Sequence, residues 1–167
     1  MITFSLLVLS LHRLISAYED KILHLNDPNY VSRAEAVRAA HGDTSFPSFI
    51  KWVWERALAA CTPNSCHLDV HWRPFYERCA YCDVRYDVVG RIETFPEDLR
   101  YILAKTGNDA VIRGNERYNG EARSETMEER IAKYFKQLDK GLRRRLYKVY
   151  RPDFEMFGYS GKEFLDI

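Results

Sequence analysis

No stretch of this sequence is both long and apolar enough to cross a bilayer as a helix. The best candidate is the opening run Met1 to Leu11, MITFSLLVLSL, which has eleven residues where a span needs about 20. The marks of a secretory signal are missing too. His12 and Arg13 follow the apolar run instead of preceding it, and no small-residue cleavage site is visible. The run is expected to be a buried β-strand opening the domain, and the chain to carry no membrane anchor of its own. Net charge is nearly absent: 25 Lys and Arg stand against 24 Asp and Glu, leaving +1, so total charge singles out no partner. There is no internal repeat and no low-complexity tract, and neither a repeat architecture nor a linker between two domains is expected. The polar stretch from Arg117 to Ser124 reads as an exposed loop within one domain.

Aromatic residues are plentiful. They make up 14% of the 167 residues, with eleven Tyr and nine Phe, enough to build the core of one compact domain. Leu14 to Leu23 reads as a helix after the first strand, with Leu14, Ala17, Tyr18 and Ile22 on one face. A strand, a short loop and a helix N-terminus form a favourable place for an anion, because the first helical N–H groups are unpaired. Ser45 to Ala60 is the clearest helix: Phe46, Phe49, Ile50, Val53, Trp54, Ala57 and Leu58 recur at helical spacing. Ser45 is placed to cap it, and Pro47 is tolerated in its first turn. Val84 to Ile92 reads as a strand with Val84, Tyr86 and Val88 on one face, and Gly90 signals a bulge or a close approach. Thr94 with Glu97 reads as a capping box for a helix carrying Leu99, Ile102 and Leu103. Glu128 to Tyr150 reads as helix in two pieces broken near Gly141 and stopped by Pro152. The fold class is mixed α/β with more helix than strand.

The four cysteines, Cys61, Cys66, Cys79 and Cys82, lie within 22 residues. They suggest either disulfides, in one of three connectivities, or a zinc site completed by His67 and His71. The aromatic-rich flanks favour disulfides, and hence an oxidising compartment. Nine basic residues fall between Arg130 and Arg151, with Asp139 the one acid in that span. This reads as a basic stripe: either a solvated face or an attractor for an acidic glycan, centred on Arg143, Arg144 and Arg145. No nucleic-acid recognition motif accompanies it.

Three stretches together resemble the carbohydrate sulfotransferases that modify chondroitin, dermatan and related glycans. The first is His12 to Lys21, HRLISAYEDK, similar to the end of the family's 3′-phosphate motif R-x-P-x-x-R-L-x-S-A-Y-x-D-K. The second is Asp69 to Leu103, DVHWRPFYERCAYCDVRYDVVGRIETFPEDLRYIL, similar to the block H-W-x-P…C-x-x-C…Y-D-x-x-G-x-x-E-T…E-D. The third ends at Tyr159 and carries Tyr150, Asp153, Phe154, Phe157 and Gly158, similar to L-Y-x-x-Y-x-x-D-F-x-x-F-G-Y. The motif's leading Arg falls on Val8 and its Pro on Ser10.

The resemblance implies a three-layer α/β fold around a parallel sheet, as in P-loop kinases. Residues 1–167 would be a single domain of that kind, incomplete at its N-terminus, without the loop that holds the 5′-phosphosulfate and without the membrane anchor of full-length relatives. Such a chain is expected to expose a strand edge and apolar surface and to be poorly stable alone. The implied sulfate donor is the co-substrate 3′-phosphoadenosine 5′-phosphosulfate, with no metal, and the implied acceptor is an acidic glycan or glycosaminoglycan in the Golgi lumen. Arg13 and Ser16 are the implied 3′-phosphate ligands, a planar fork beside a hydroxyl. Without the motif they would read as a surface residue and a helix-packing residue. His71 is the candidate base, or else a packed histidine that shapes the site. Arg73 meets acidic substrate or is solvated. The function read from these residues is sulfuryl transfer to a glycan hydroxyl. The alternative is a non-catalytic anion- or glycan-binding remnant of such an enzyme.

Overall fold

The computed structural model describes residues 3–7, 10–24, 28–62, 65–108 and 125–167. Val8 and the Arg117–Ser124 stretch lie outside them. In chain order the elements are β1 (Phe4–Leu7), α1 (Ser10–Ala17), a π-helical turn (Tyr18–Leu23), a 3-10 turn (Pro28–Tyr30), α2 (Val31–His41), α3 (Phe46–Ala60), β2 (Cys61–Thr62) and β3 (Ser65–Cys66). They continue with α4 (Phe75–Arg78), β4 (Val88–Arg91), α5 (Phe95–Thr106), α6 (Met127–Phe135), α7 (Lys140–Phe157) and α8 (Lys162–Leu165). Helix predominates, as the periodicity implies. Among the described residues the parallel sheet has two strands: β1 pairs with β4, Phe4 opposite Val88 and Leu7 opposite Arg91.

The opening strand is shorter than the apolar run suggests. It covers Phe4–Leu7, the chain is helical again by Ser10, and Phe4 is 54% exposed. The second predicted strand also shrinks, to Val88–Arg91. Tyr86 instead donates its hydroxyl to the Cys79 carbonyl at 2.7 Å, and Val84 is exposed. Gly90 does mark a close approach, because a Cβ there would sit 3.2 Å from Asp98 Cβ. Phe4, Val89 and Ile92 leave apolar surface on and beside this small sheet.

The core is helical. Leu14, Ala17, Tyr18 and Ile22 are all buried, as their spacing implies, against Phe46, Phe49, Ile50 and Val53 of α3. Tyr18 and Tyr134 each pack on Phe46, with ring centroids 5.2 and 5.0 Å away. Ser45 caps α3 by accepting from the Ser48 N–H, and Pro47 occupies the first turn. α6 and α7 complete the core with Phe135, Leu138, Leu142, Leu146, Tyr150 and Phe154.

Several local expectations are corrected. The break after α6 falls at Lys136–Asp139, not at Gly141, because the Asp139 carboxylate accepts the Leu142 N–H at 2.8 Å and starts α7 there. Pro152 does not end α7, which runs on to Phe157 and a left-handed Gly158. The turn after the proline buries Asp153, Phe154 and Phe157, and that packing outweighs the lost backbone hydrogen bond. Thr94 forms no capping box with Glu97. Its hydroxyl donates to Asp98 at 2.6 Å, and Asp98 also accepts the Arg91 N–H at 2.7 Å. A capping box does form at Thr126 and Glu129, ahead of α6. Arg130 is no part of a solvated stripe: it is 4% exposed and paired with Glu19.

Candidate anion-binding site

The three motif stretches meet in space. Asp153 of α7 is the joint, 2% exposed. One carboxylate oxygen accepts the Ser10 hydroxyl and the Phe75 N–H, the latter at 2.7 Å, and the other accepts the Tyr76 N–H at 2.8 Å. One side chain thus links the start of α1, the loop after the His-Trp pair and the C-terminal helix. Burial pushes the Asp153 carboxyl up, while the Ser10 hydroxyl, the two N–H groups and Arg13 pull it down; burial prevails. One turn earlier, the buried Tyr150 hydroxyl donates to the Trp72 carbonyl at 2.5 Å. Two anchors from α7 therefore hold residues 72–76 in place.

Arg13 lies in the first turn of α1 and not in a loop before it, so it projects from a fixed helix. Its Nη2 donates to the Arg73 carbonyl, and its guanidinium carbon stands 5.2 Å from the Phe75 ring centroid. Its Nε and Nη1 are buried with no hydrogen-bond partner among the described residues. Burial lowers the Arg13 pKa, and the nearby Tyr150 and Asp153 oppose that shift. A guanidinium stays charged through any such shift near neutrality. A buried donor left unpaired costs about 1–3 kcal/mol.

Arg13, Ser16 and His71 line one cavity of about 490 Å³, together with Asp20, Phe75 and Arg78. The residues singled out at positions 13, 16 and 71 are thus brought to one place. His71 is held on one side. Its Nδ1 lies 2.8 Å from Asp69 Oδ1 and 2.8 Å from the Tyr30 hydroxyl, and its backbone N–H donates to the same Asp69 oxygen at 3.0 Å. A carboxylate only accepts, so the Nδ1–H donates to Asp69 and fixes the orientation of the ring. Asp69 is therefore a positioning residue that spacing alone did not reveal. Its position two residues before His71 was the available signal.

The remaining sequence candidates lie elsewhere. Arg143 is half-buried and donates to the Ile167 carbonyl, while Arg144 and Arg145 are exposed on α7. None of the three lines the cavity with Arg13. Arg73 is half-buried, and its Nε donates to the Leu68 carbonyl at 2.8 Å. Cys61 and Cys66 form a disulfide that closes the β2–β3 hairpin, whereas Cys79 and Cys82 are free thiols. Among the described residues no group of three or more His, Cys, Asp or Glu gathers as metal ligands, and no helix is long and apolar enough to cross a membrane.

The fold is helix-rich α/β and sets a half-buried, partly unpaired arginine in one cavity with an oriented histidine. Residues 11–160 match the sulfotransferase family, and the chain belongs to that family. It is similar to carbohydrate sulfotransferase 10 of Xenopus laevis, 30% identical over 92% of this chain and 46% of the relative. The Mus musculus carbohydrate sulfotransferase 10 is also 30% identical, over 92% of this chain and 45% of that protein. Carbohydrate sulfotransferase 11 of Rattus norvegicus is 28% identical over 93% and 46%. The chain spans about half the length of the curated relatives it matches. No solved structure matches it.

Proposed function

We propose that this chain forms the 3′-phosphate-binding and acceptor-activating part of a carbohydrate sulfotransferase. The donor is 3′-phosphoadenosine 5′-phosphosulfate and the acceptor a hydroxyl of a chondroitin- or dermatan-like glycan, in the Golgi lumen. One observation carries this reading: Arg13, with two buried guanidinium nitrogens unpaired, shares a cavity with Ser16 and His71. Arg13 and Ser16 take the donor's 3′-phosphate through charge-assisted hydrogen bonds. His71 Nε2 accepts the sugar hydroxyl proton while Asp69 holds the ring and balances the imidazolium that forms. The sugar oxygen then bonds to sulfur as the bond from sulfur to the leaving phosphate oxygen breaks. As in phosphoryl transfer, positioning and charge stabilisation supply most of the rate. The residues 1–167 act in this reading as a single domain.

Calorimetric titration with 3′,5′-adenosine bisphosphate tests the phosphate site. Saturable binding that Arg13→Ala abolishes supports it, and equal binding by both forms refutes it. Transfer of labelled sulfate to desulfated chondroitin tests the base. His71→Gln should abolish transfer and leave nucleotide binding intact. A second reading, a non-catalytic anion-binding module, is favoured by Val8 in place of the motif's leading arginine. Nucleotide binding without any transfer would select it.

A further inference from the structure

A second cavity, of about 440 Å³, opens beside the first. Arg33 of α2 and Trp52 and Arg56 of α3 line it, and Trp72 and Asp69 form its inner wall. The wall is firmly built. Trp52 and Trp72 are 6% and 2% exposed and meet edge to face at 5.9 Å. The disulfide-closed hairpin fixes the neighbouring backbone, with the His67 N–H donating to the Ala60 carbonyl at 2.9 Å.

Charge gives this cavity its character. Arg33 and Arg56 are exposed, and neither meets a carboxylate among the described residues. Arg56 instead lies over the Trp52 ring, 5.3 Å from its centroid. The one carboxylate in the wall, Asp69, is already engaged by His71. Two exposed guanidinium forks that meet no carboxylate, beside an indole wall, suit a ligand with one acidic group and an apolar ring face. An anionic sugar residue has both.

The position ties this cavity to the chemistry. Asp69 lines the second cavity, His71 lines the first, and a 2.8 Å contact joins them. We infer that the Arg33–Trp52–Arg56 cavity is the acceptor subsite and that it takes an anionic sugar residue of the glycan. This inference rests on the sulfotransferase reading and replaces Arg143–Arg145 with a different set of cations. An acid group held by Arg33 and Arg56 would seat the glycan on the Asp69 side of His71, with the donor on the Arg13 side.

The test is an NMR titration of the whole chain with three sugars: methyl β-glucuronide, methyl β-glucoside 6-sulfate and the neutral methyl β-glucoside. Each is run on wild type, Arg33→Gln/Arg56→Gln and Arg144→Gln/Arg145→Gln. All substituted residues are exposed, so the spectra should stay folded. Wild type should bind an acidic sugar and prefer it over the neutral glucoside. Losing two charge-assisted contacts should weaken that binding at least about tenfold in Arg33→Gln/Arg56→Gln, and Arg144→Gln/Arg145→Gln should leave it unchanged. Preference between glucuronide and sulfate names the acid group. Equal binding of the neutral sugar, loss in Arg144→Gln/Arg145→Gln instead, or no acidic-sugar binding at all would overturn the inference. In parallel, 3′,5′-adenosine bisphosphate should bind Arg33→Gln/Arg56→Gln normally. If the nucleotide fails on wild type while the acidic sugar binds, the donor reading falls and the sugar site stands.

Discussion

Replacing Asp153 by alanine should loosen all three motif stretches at once. The carboxylate accepts from the Ser10 hydroxyl, the Phe75 N–H and the Tyr76 N–H while almost fully buried. Stranding three buried donors costs roughly 1–3 kcal/mol each. Against that stands the relief of removing a buried carboxylate, itself worth several kcal/mol, so the net loss should be about 3 kcal/mol. The variant is compared with wild type under the same conditions. Its Tm should drop by about 6–12 °C. Urea melts of wild type, Asp153→Ala and Ser10→Ala check the arithmetic. Ser10→Ala, which strands no backbone donor, should lose only about 1 kcal/mol. A loss below about 1 kcal/mol for Asp153→Ala would mean that the network does not hold the site together.

Stability should also fall as pH drops below about 6.5. Burial lowers the His12 pKa from 6.5, Arg130 reinforces the shift, and Glu93 and Glu128 only partly oppose it. The native state therefore binds fewer protons than the unfolded state, and stability is full above 6.5 and lost on acidification. His12→Gln should flatten that limb in melts recorded from pH 8 to 5. Gly161→Ala would press a Cβ into the Tyr147 ring; overpacking of this kind costs about 1–3 kcal/mol, readable in a thermal melt. The Cys61–Cys66 disulfide closes a loop of sequence separation 5, worth about 2 kcal/mol in the chain-entropy account. Cys61→Ser/Cys66→Ser should lose that much, and reductant should have no further effect on it.

Much of the helical framework was legible because its signals are local. Ser45 followed by apolar residues at 3.6 spacing specified α3 through its cap, and the buried face of α1 followed from Leu14, Ala17 and Tyr18. Strand lengths were not legible. Met1 to Leu11 and Val84 to Ile92 are apolar enough for long strands, yet among the described residues β1 and β4 pair over four residues on each side. Pro152 misled for a physical reason: burial of Phe154 and Phe157 on the following turn carries the helix through. Thr94 misled because two candidate acids sit three and four residues on, and Asp98 also reaches the Arg91 N–H.

In the candidate site, Arg13, Ser16 and His71 were chosen from motif residues, and the fold gathers them around one cavity. The triple arginine was chosen from charge density, which says nothing of which face a helix turns inward, and Arg143 instead binds the Ile167 carbonyl. Asp153 lies within the third motif, but its partners are 77 to 143 residues away. No local spacing announces such a contact. The Arg33–Arg56 cavity was invisible for the same reason, since α2 and α3 each look like ordinary helices with solvated cations.

The most direct test of the central claim is the worth of a single phosphate. Affinities for 3′,5′-adenosine bisphosphate and for 5′-adenosine monophosphate should be compared on wild type and Arg13→Ala. If Arg13 holds the 3′-phosphate, wild type should prefer the bisphosphate by at least about tenfold, the value of one charge-assisted pair, and Arg13→Ala should bind both nucleotides alike. A wild type that does not discriminate, or an Arg13→Ala variant that keeps the preference, would contradict the account.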